Sequence, residues 1–178
     1  MTQFQKGAIN LYSIGDKVVY PMHGAGVIED LEEKQIGEET NLYYVLNIPV
    51  GTLKVTISHK KADDLGVRYC CKEEEALDVL NNFNEMPTDI PDNWNKRYEY
   101  NMQKVKSGKL AQVLEVYLSS YKREREKSLS GMEKKLLFTA KQAIVSELMV
   151  SQNIDRSDAE SLLNNTSSRV CPRLEPAV

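Results

Sequence analysis

Few side chains in this sequence are equipped for chemistry, and their spacing excludes most of what they could do. His23 and His59 are the only histidines, and no Ser, Cys or carboxylate near either suggests a triad. Two histidines without cysteine partners also make a poor zinc site. The cysteines are Cys70, Cys71 and Cys171. An odd count with one adjacent pair gives neither a disulfide framework nor metal-ligand spacing, and adjacent cysteines rarely bridge without strain. Both thiols of the pair read as inert. The glycine-rich HGAG at 23–26 lacks the Lys-Ser/Thr of a phosphate loop, and no helical pattern follows it. The expectation is a protein with no catalytic residue, no metal and no cofactor, and therefore not an enzyme.

What remains is the chemistry of contact. Basic residues recur in NKR, KVKSGK, YKREREK, EKK and at Lys141. In KREREK acids alternate with bases, which reads as a solvated face with i,i+4 pairing. Setting it aside leaves Lys96, Arg97, Lys104, Lys106, Lys109, Lys134, Lys135 and Lys141 as a candidate phosphate-facing set. The single tryptophan, Trp94, stands among them in PDNWNKRYEYN, residues 91–101. On a helix starting near Asn93 it shares a stripe with Tyr98, Met102 and Val105, the spacing of a packed face. In the first turn, however, an indole can lean past the end of a bundle. An aromatic wedge beside cations is the equipment for opening a base step while holding the flanking phosphates. Spacing leaves both roles for Trp94 open.

The elements that must position these residues fall into two halves. DKVVY, GVIEDLEEKQI, NLYYVLNI and LKVTIS are short runs rich in Val, Ile, Tyr and Thr, separated by PMHGAG, GEETN and PVGT. Leu42, Tyr44, Leu46 and Ile48 share one face. The pattern predicts a small, strongly bent sheet, an SH3-like or Tudor-like β-barrel over 11–69, with Gly24 and Gly26 at a corner. From residue 72 the period becomes helical. KEEEALDVLNNF opens with acids, and MPTDIPDN breaks the chain and caps a helix from Trp94 to a stop at Gly108. Leu110, Val113, Leu114, Tyr117, Leu118 and Tyr121 form one apolar stripe, SGME at 130–133 is a capping box, and DRSDAESLLNN makes a short last helix. The architecture expected is α+β in two domains: the barrel, then a compact all-α domain of about five helices over 72–164. Residues 1–10 and 165–178 are expected to be flexible ends.

Charge follows the same division. The net charge of −3 at pH 7 combines an acidic first part with a basic one at 92–150, where twelve Lys/Arg face seven Asp/Glu. No apolar run approaches the ~20 residues that span a bilayer, and MTQFQKGAIN does not read as a secretory signal. A reduced, cytoplasmic, monomeric protein is expected.

In order, IGDKVVYPMHGAGVIE, YYVLNIPVGTLKVTIS, DNWNKRYEYNMQKVKSGKLAQVLEVYLSS and LSGMEKKLL resemble the CarD/CdnL family of bacterial transcription regulators over about residues 12–164. The resemblance implies a Tudor-like domain that binds the β subunit of RNA polymerase and a helical domain that contacts promoter DNA. Contact is implied at the upstream edge of the transcription bubble, in the minor groove, largely independent of sequence. Trp94 matches the family's wedge, and Lys96, Arg97, Lys134, Lys135 and Lys141 are the implied DNA-binding cations. Such proteins stabilise the open complex, notably at ribosomal RNA promoters. Where a well-studied branch carries polymerase-facing arginines, this chain has Lys34 and Thr56. Lys54, on the same strand face as Thr56, can supply the missing charge. Lys34, Lys54, Thr56 and Ile57 are thus the implied polymerase-binding set. Glu99 stands where a basic residue commonly follows the motif's Tyr. The alternative is a protein-interaction adaptor that docks on RNA polymerase or another partner without touching DNA.

Overall fold

The alternating pattern of the first half becomes an antiparallel sheet in the computed structural model, which describes residues 12–172 apart from 38, 86 and 88. The expectations for 1–10 and for 173–178 lie outside the described residues. The strands β1 (Lys17–Tyr20), β2 (Gly24–Ile36), β3 (Glu39–Ile48), β4 (Leu53–Ser58) and β5 (Arg68–Tyr69) lie in the order β4-β3-β2-β1-β5. Tyr44, Leu46 and Ile48 of β3 are buried on one face, as the alternation requires. Gly26 lets β2 approach β3, because a Cβ there would lie 2.2 Å from the Asn47 carbonyl oxygen.

The expected closed barrel does not complete its ring of hydrogen bonds. Among the described residues β4 pairs only with β3 and β5 only with β1, so both remain edges. The two-residue β5 is too short to carry a second ladder. Side chains bridge the gap instead. Tyr12, Ile57, Ala62 and Val67 share one core with Val18, Ile28 and Tyr44, and the Tyr12 hydroxyl donates to the Val67 carbonyl at 2.7 Å. The result is a curled, open sheet around a filled core.

The helical half consists of α1 (Glu73–Asn82), α2 (Trp94–Lys106), α3 (Leu110–Glu126), α4 (Gly131–Gln152) and α5 (Arg156–Val170). Helix α4 is central and packs against α3, α5, α2, α1 and β2. Leu114, Leu118, Ile144, Leu148 and Leu163 meet in its core, each side chain contributing roughly 1.5–3 kcal/mol by leaving water. The last helix is longer than the sequence pattern suggested, and residues 165–170 are helical rather than a loose end. Thr166 and Ser167 are buried with their hydroxyls bonded back to the Leu162 and Leu163 carbonyls, so their polarity does not break the helix. The Arg169 guanidinium donates to the Leu80 and Asn81 carbonyls and satisfies the C-terminal end of α1.

The boundary near residue 70 is also a junction. Arg68 donates to both carboxylate oxygens of Glu147 on α4 at 2.8 Å and to the Gly108 carbonyl at 2.9 Å. The Cys71 N–H donates to the same carboxylate at 3.1 Å. The Ala25 N–H donates to the Ser146 hydroxyl at 2.8 Å. Gly24, at φ +111°, leaves room for that hydroxyl, since a Cβ would come within 2.5 Å of it. Val19, Ala25 and Val150 add a small apolar cluster across the same seam.

Candidate nucleic-acid interface

Asn93 starts α2 as the spacing predicts, its side chain accepting from the Asn95 and Lys96 N–H groups at 3.0 and 3.2 Å. The stripe below Trp94 is real: Val105 is buried, and Tyr98 and Met102 pack against the helical core. Trp94 tops this stripe and is 50% exposed. An indole normally buries most of its area. Half of this one faces solvent at the first turn, on a helix whose lower turns are anchored without it.

Lys96 is exposed and forms no ion pair among the described residues. Arg97, expected to face phosphate, faces inward instead and is 4% exposed. Its Nε donates to Glu133 at 2.8 Å, its Nη2 lies 2.7 Å from the same carboxylate, and its Nη1 donates to the Asp92 and Pro91 carbonyls. The guanidinium satisfies two loop carbonyls and neutralises the buried Glu133 carboxylate. It therefore positions the Trp94 turn rather than presenting charge. Glu133 serves twice, because it also accepts from the Ser130 N–H and hydroxyl in the capping box of α4. Burial pushes the Glu133 carboxyl up, but the Ser130 donors and Arg97 outweigh it and hold it below its ordinary range.

The cations of α4 are unequal. Lys134 is exposed but pairs with Glu124 at 3.1 Å, and Lys141 lies 3.6 Å from Glu160. Lys135 is exposed without an ion pair among the described residues. Lys104 is taken up by Glu115 and lies 4.3 Å above the Tyr100 ring. Phe138, which the sequence reading passed over, is 63% exposed between Lys134 and Lys141 on the same helical stripe. The available signal was a large apolar residue at i+4 and i−3 from two lysines.

On the sheet, Lys34, Lys54 and Thr56 alternate onto the face opposite the core and are exposed. Lys34 pairs with Glu32 at 3.0 Å, and Lys54 with Glu29 at 2.9 Å. They do not converge. Lys54 lies opposite Asn47 and Lys34 opposite Asn41, so about 20 Å of strand separates them. Ile57 departs from its expected role: it is 3% exposed, opposite Tyr44 on the inner face. Only its backbone, on the edge strand β4, is available to a partner. Neither histidine joins a catalytic or metal cluster among the described residues; His23 is exposed and stacks on Tyr20. Burial and the nearby Glu147 carboxylate push the Cys70 thiol up to about 12 and the Cys71 thiol to about 11. No described helix is long and apolar enough to cross a membrane.

Residues 12–69 match the CarD-like/TRCF RID domain, and residues 78–164 match the CarD C-terminal domain. The chain is 33% identical over 151 residues to "Putative transcription factor YdeB" of Bacillus subtilis (strain 168), a match spanning 85% of this chain and 99% of that protein. The first domain is of a type associated with RNA polymerase interaction, and the family is one of transcription factors rather than a known enzyme family. With both halves matched in order across the seam at Arg68 and Glu147, this chain belongs to the CarD family of transcription factors.

Proposed function

We propose that this protein docks on the β subunit of RNA polymerase through its sheet domain and stabilises the promoter open complex by contacting DNA at the upstream edge of the bubble. The observation that carries the proposal is Trp94, half exposed at the first turn of α2 while the stripe beneath it is packed. The indole enters the minor groove at the fork and holds the step open, with Lys96 and Lys135 as free phosphate contacts. Lys134 and Lys141 contribute less, because each already has a carboxylate partner. On the Tudor-like sheet, Lys54 and Thr56 flank the open edge of β4, where a strand of the polymerase can add its own hydrogen bonds. DNA binding by the protein alone is weak, and docking makes it effective by raising the local concentration of the wedge.

The test is open-complex lifetime on a weakly melting promoter at two salt concentrations, with wild type and Trp94→Ala. Base–aromatic stacking is worth about 1–3 kcal/mol, so the variant shortens the lifetime by about fivefold or more while polymerase binding and the fold are retained. An unchanged lifetime accompanied by a lowered melting temperature would show that Trp94 only packs. Neutralising Lys96 and Lys135 together without effect on lifetime would favour an adaptor that does not touch DNA.

A further inference from the structure

Beside the turn that carries Trp94, the α1–α2 connection and α3 border an open cleft of about 170 Å³. Pro91, Asp92, Arg97 and Asn101 line one side, and Ser120 and Arg123 the other. Its polar groups are unevenly satisfied. The Arg97 guanidinium is fully engaged by Glu133 and the two loop carbonyls. Lys122 and Glu126, also on its wall, lie 4.0 Å apart as an ion pair. Asn101 is only 5% exposed and stands on the same wall as Arg97. The Arg123 Nε is buried with no partner. The other described arginines, Arg68, Arg97, Arg125, Arg156 and Arg169, all bond a carboxylate or a carbonyl.

The unpartnered Arg123 Nε, with the Asn101 amide and the Ser120 hydroxyl lining the same small space, forms a set of donors suited to an anion. We propose that this cleft binds a phosphate group, held by the Arg123 guanidinium, the Asn101 amide and the Ser120 hydroxyl. A tetrahedral oxyanion matches the donor fork of arginine. The volume is below the about 300 Å³ at which sites for larger small molecules begin, a size that suits a phosphate group. Because Pro91 and Asp92 form one wall, an occupied site braces the turn that carries Trp94 against α3. The phosphate is either free in solution or part of a DNA backbone. The DNA source rests on the proposed function; the free source does not.

The experiment uses the full chain. Inorganic phosphate is titrated against chloride at constant ionic strength, and binding is followed by Trp94 fluorescence and by the Asn101 side-chain amide resonances. A parallel arm measures forked-DNA binding against salt. Wild type should give a saturable phosphate response that Arg123→Gln weakens by about tenfold or more and that Lys60→Gln, on the sheet domain, leaves unchanged. If phosphate gives no saturable response but Arg123→Gln lowers the logarithmic salt slope of DNA binding by about one, the bound phosphate is that of DNA. Absence of both effects overturns the proposal, and if the protein binds no DNA at all the phosphate arm decides alone. In phosphate-free buffer Arg123→Gln should melt no lower than wild type. A clear fall would mark Arg123 as a structural partner and also overturn the proposal.

Discussion

Arg97→Ala distinguishes a residue that holds the Trp94 turn in place from one that would bind phosphate. The substitution leaves the Glu133 carboxylate buried with only the Ser130 donors, and it strips the donor from the Pro91 and Asp92 carbonyls. Breaking one side of such a buried pair costs about 3–5 kcal/mol. In a chain of this length each kcal/mol lowers the melting temperature by about 2–4 °C, so Arg97→Ala should melt about 6–20 °C below wild type. Removing both charges, as Arg97→Met with Glu133→Leu, avoids the stranded carboxylate and should cost only about 1–2 kcal/mol, mostly from the lost capping box. Urea and thermal unfolding followed by circular dichroism give both values, and forked-DNA binding against salt gives the number of phosphates engaged. If Arg97→Ala kept wild-type stability while the salt slope fell by about one, Arg97 would be a phosphate ligand and its buried placement would be the wrong functional state.

Glu133 also sets an acid limb. Its folded pKa lies below its ordinary value of 4.5, so its stabilisation is complete above that value and lost as pH falls through the depressed one; Glu133→Gln should flatten that part of a melting-temperature profile between pH 7 and 3. Gly24→Ala places a Cβ 2.5 Å from the Ser146 hydroxyl at φ +111°, a backbone strain of about 1–3 kcal/mol before the clash is counted, and should lower stability measurably in urea. With thiols raised to about 12 and about 11, Cys70 and Cys71 are less than about one part in a hundred thiolate at pH 8. Iodoacetamide should leave them largely unmodified under native conditions, and rapid alkylation there would refute their packing against Glu147.

The local signals proved the most legible because each is a short-range rule. Asn93 caps α2, Ser130 and Glu133 form a capping box, and Gly108 takes φ +66° just past the end of α2. The candidate site was legible in its residues but not in their orientations. Trp94 and Arg97 lie three residues apart on one turn, and one is exposed while the other is buried. What separates them is Glu133, 36 positions on, and no spacing within α2 announces such a partner. Ile57 lies on the face opposite Lys54 and Thr56, as the strand alternation requires, and is buried against Tyr44. The end of α5 was hidden because serine and threonine look like loop residues until their hydroxyls find carbonyls one turn back. The polar pair Ser146–Glu147 inside the apolar run AIVSELMV was a readable sign of the seam, since buried polar residues in a core helix require partners.

The seam has a consequence for how the two halves could be exchanged among relatives. No covalent link other than the chain itself sets the span from the edge of β4 to the indole of Trp94. It is set by Arg68 on Glu147, by Ala25 on Ser146, and by Gly108, where a Cβ would come within 2.9 Å of Pro21. Those contacts make the protein a pair of calipers whose opening is fixed at the hinge. On the proposed function, a chimera joining this sheet to another helical half would hold Trp94 at a different distance from the docked polymerase. The step of DNA contacted on that reading would shift accordingly.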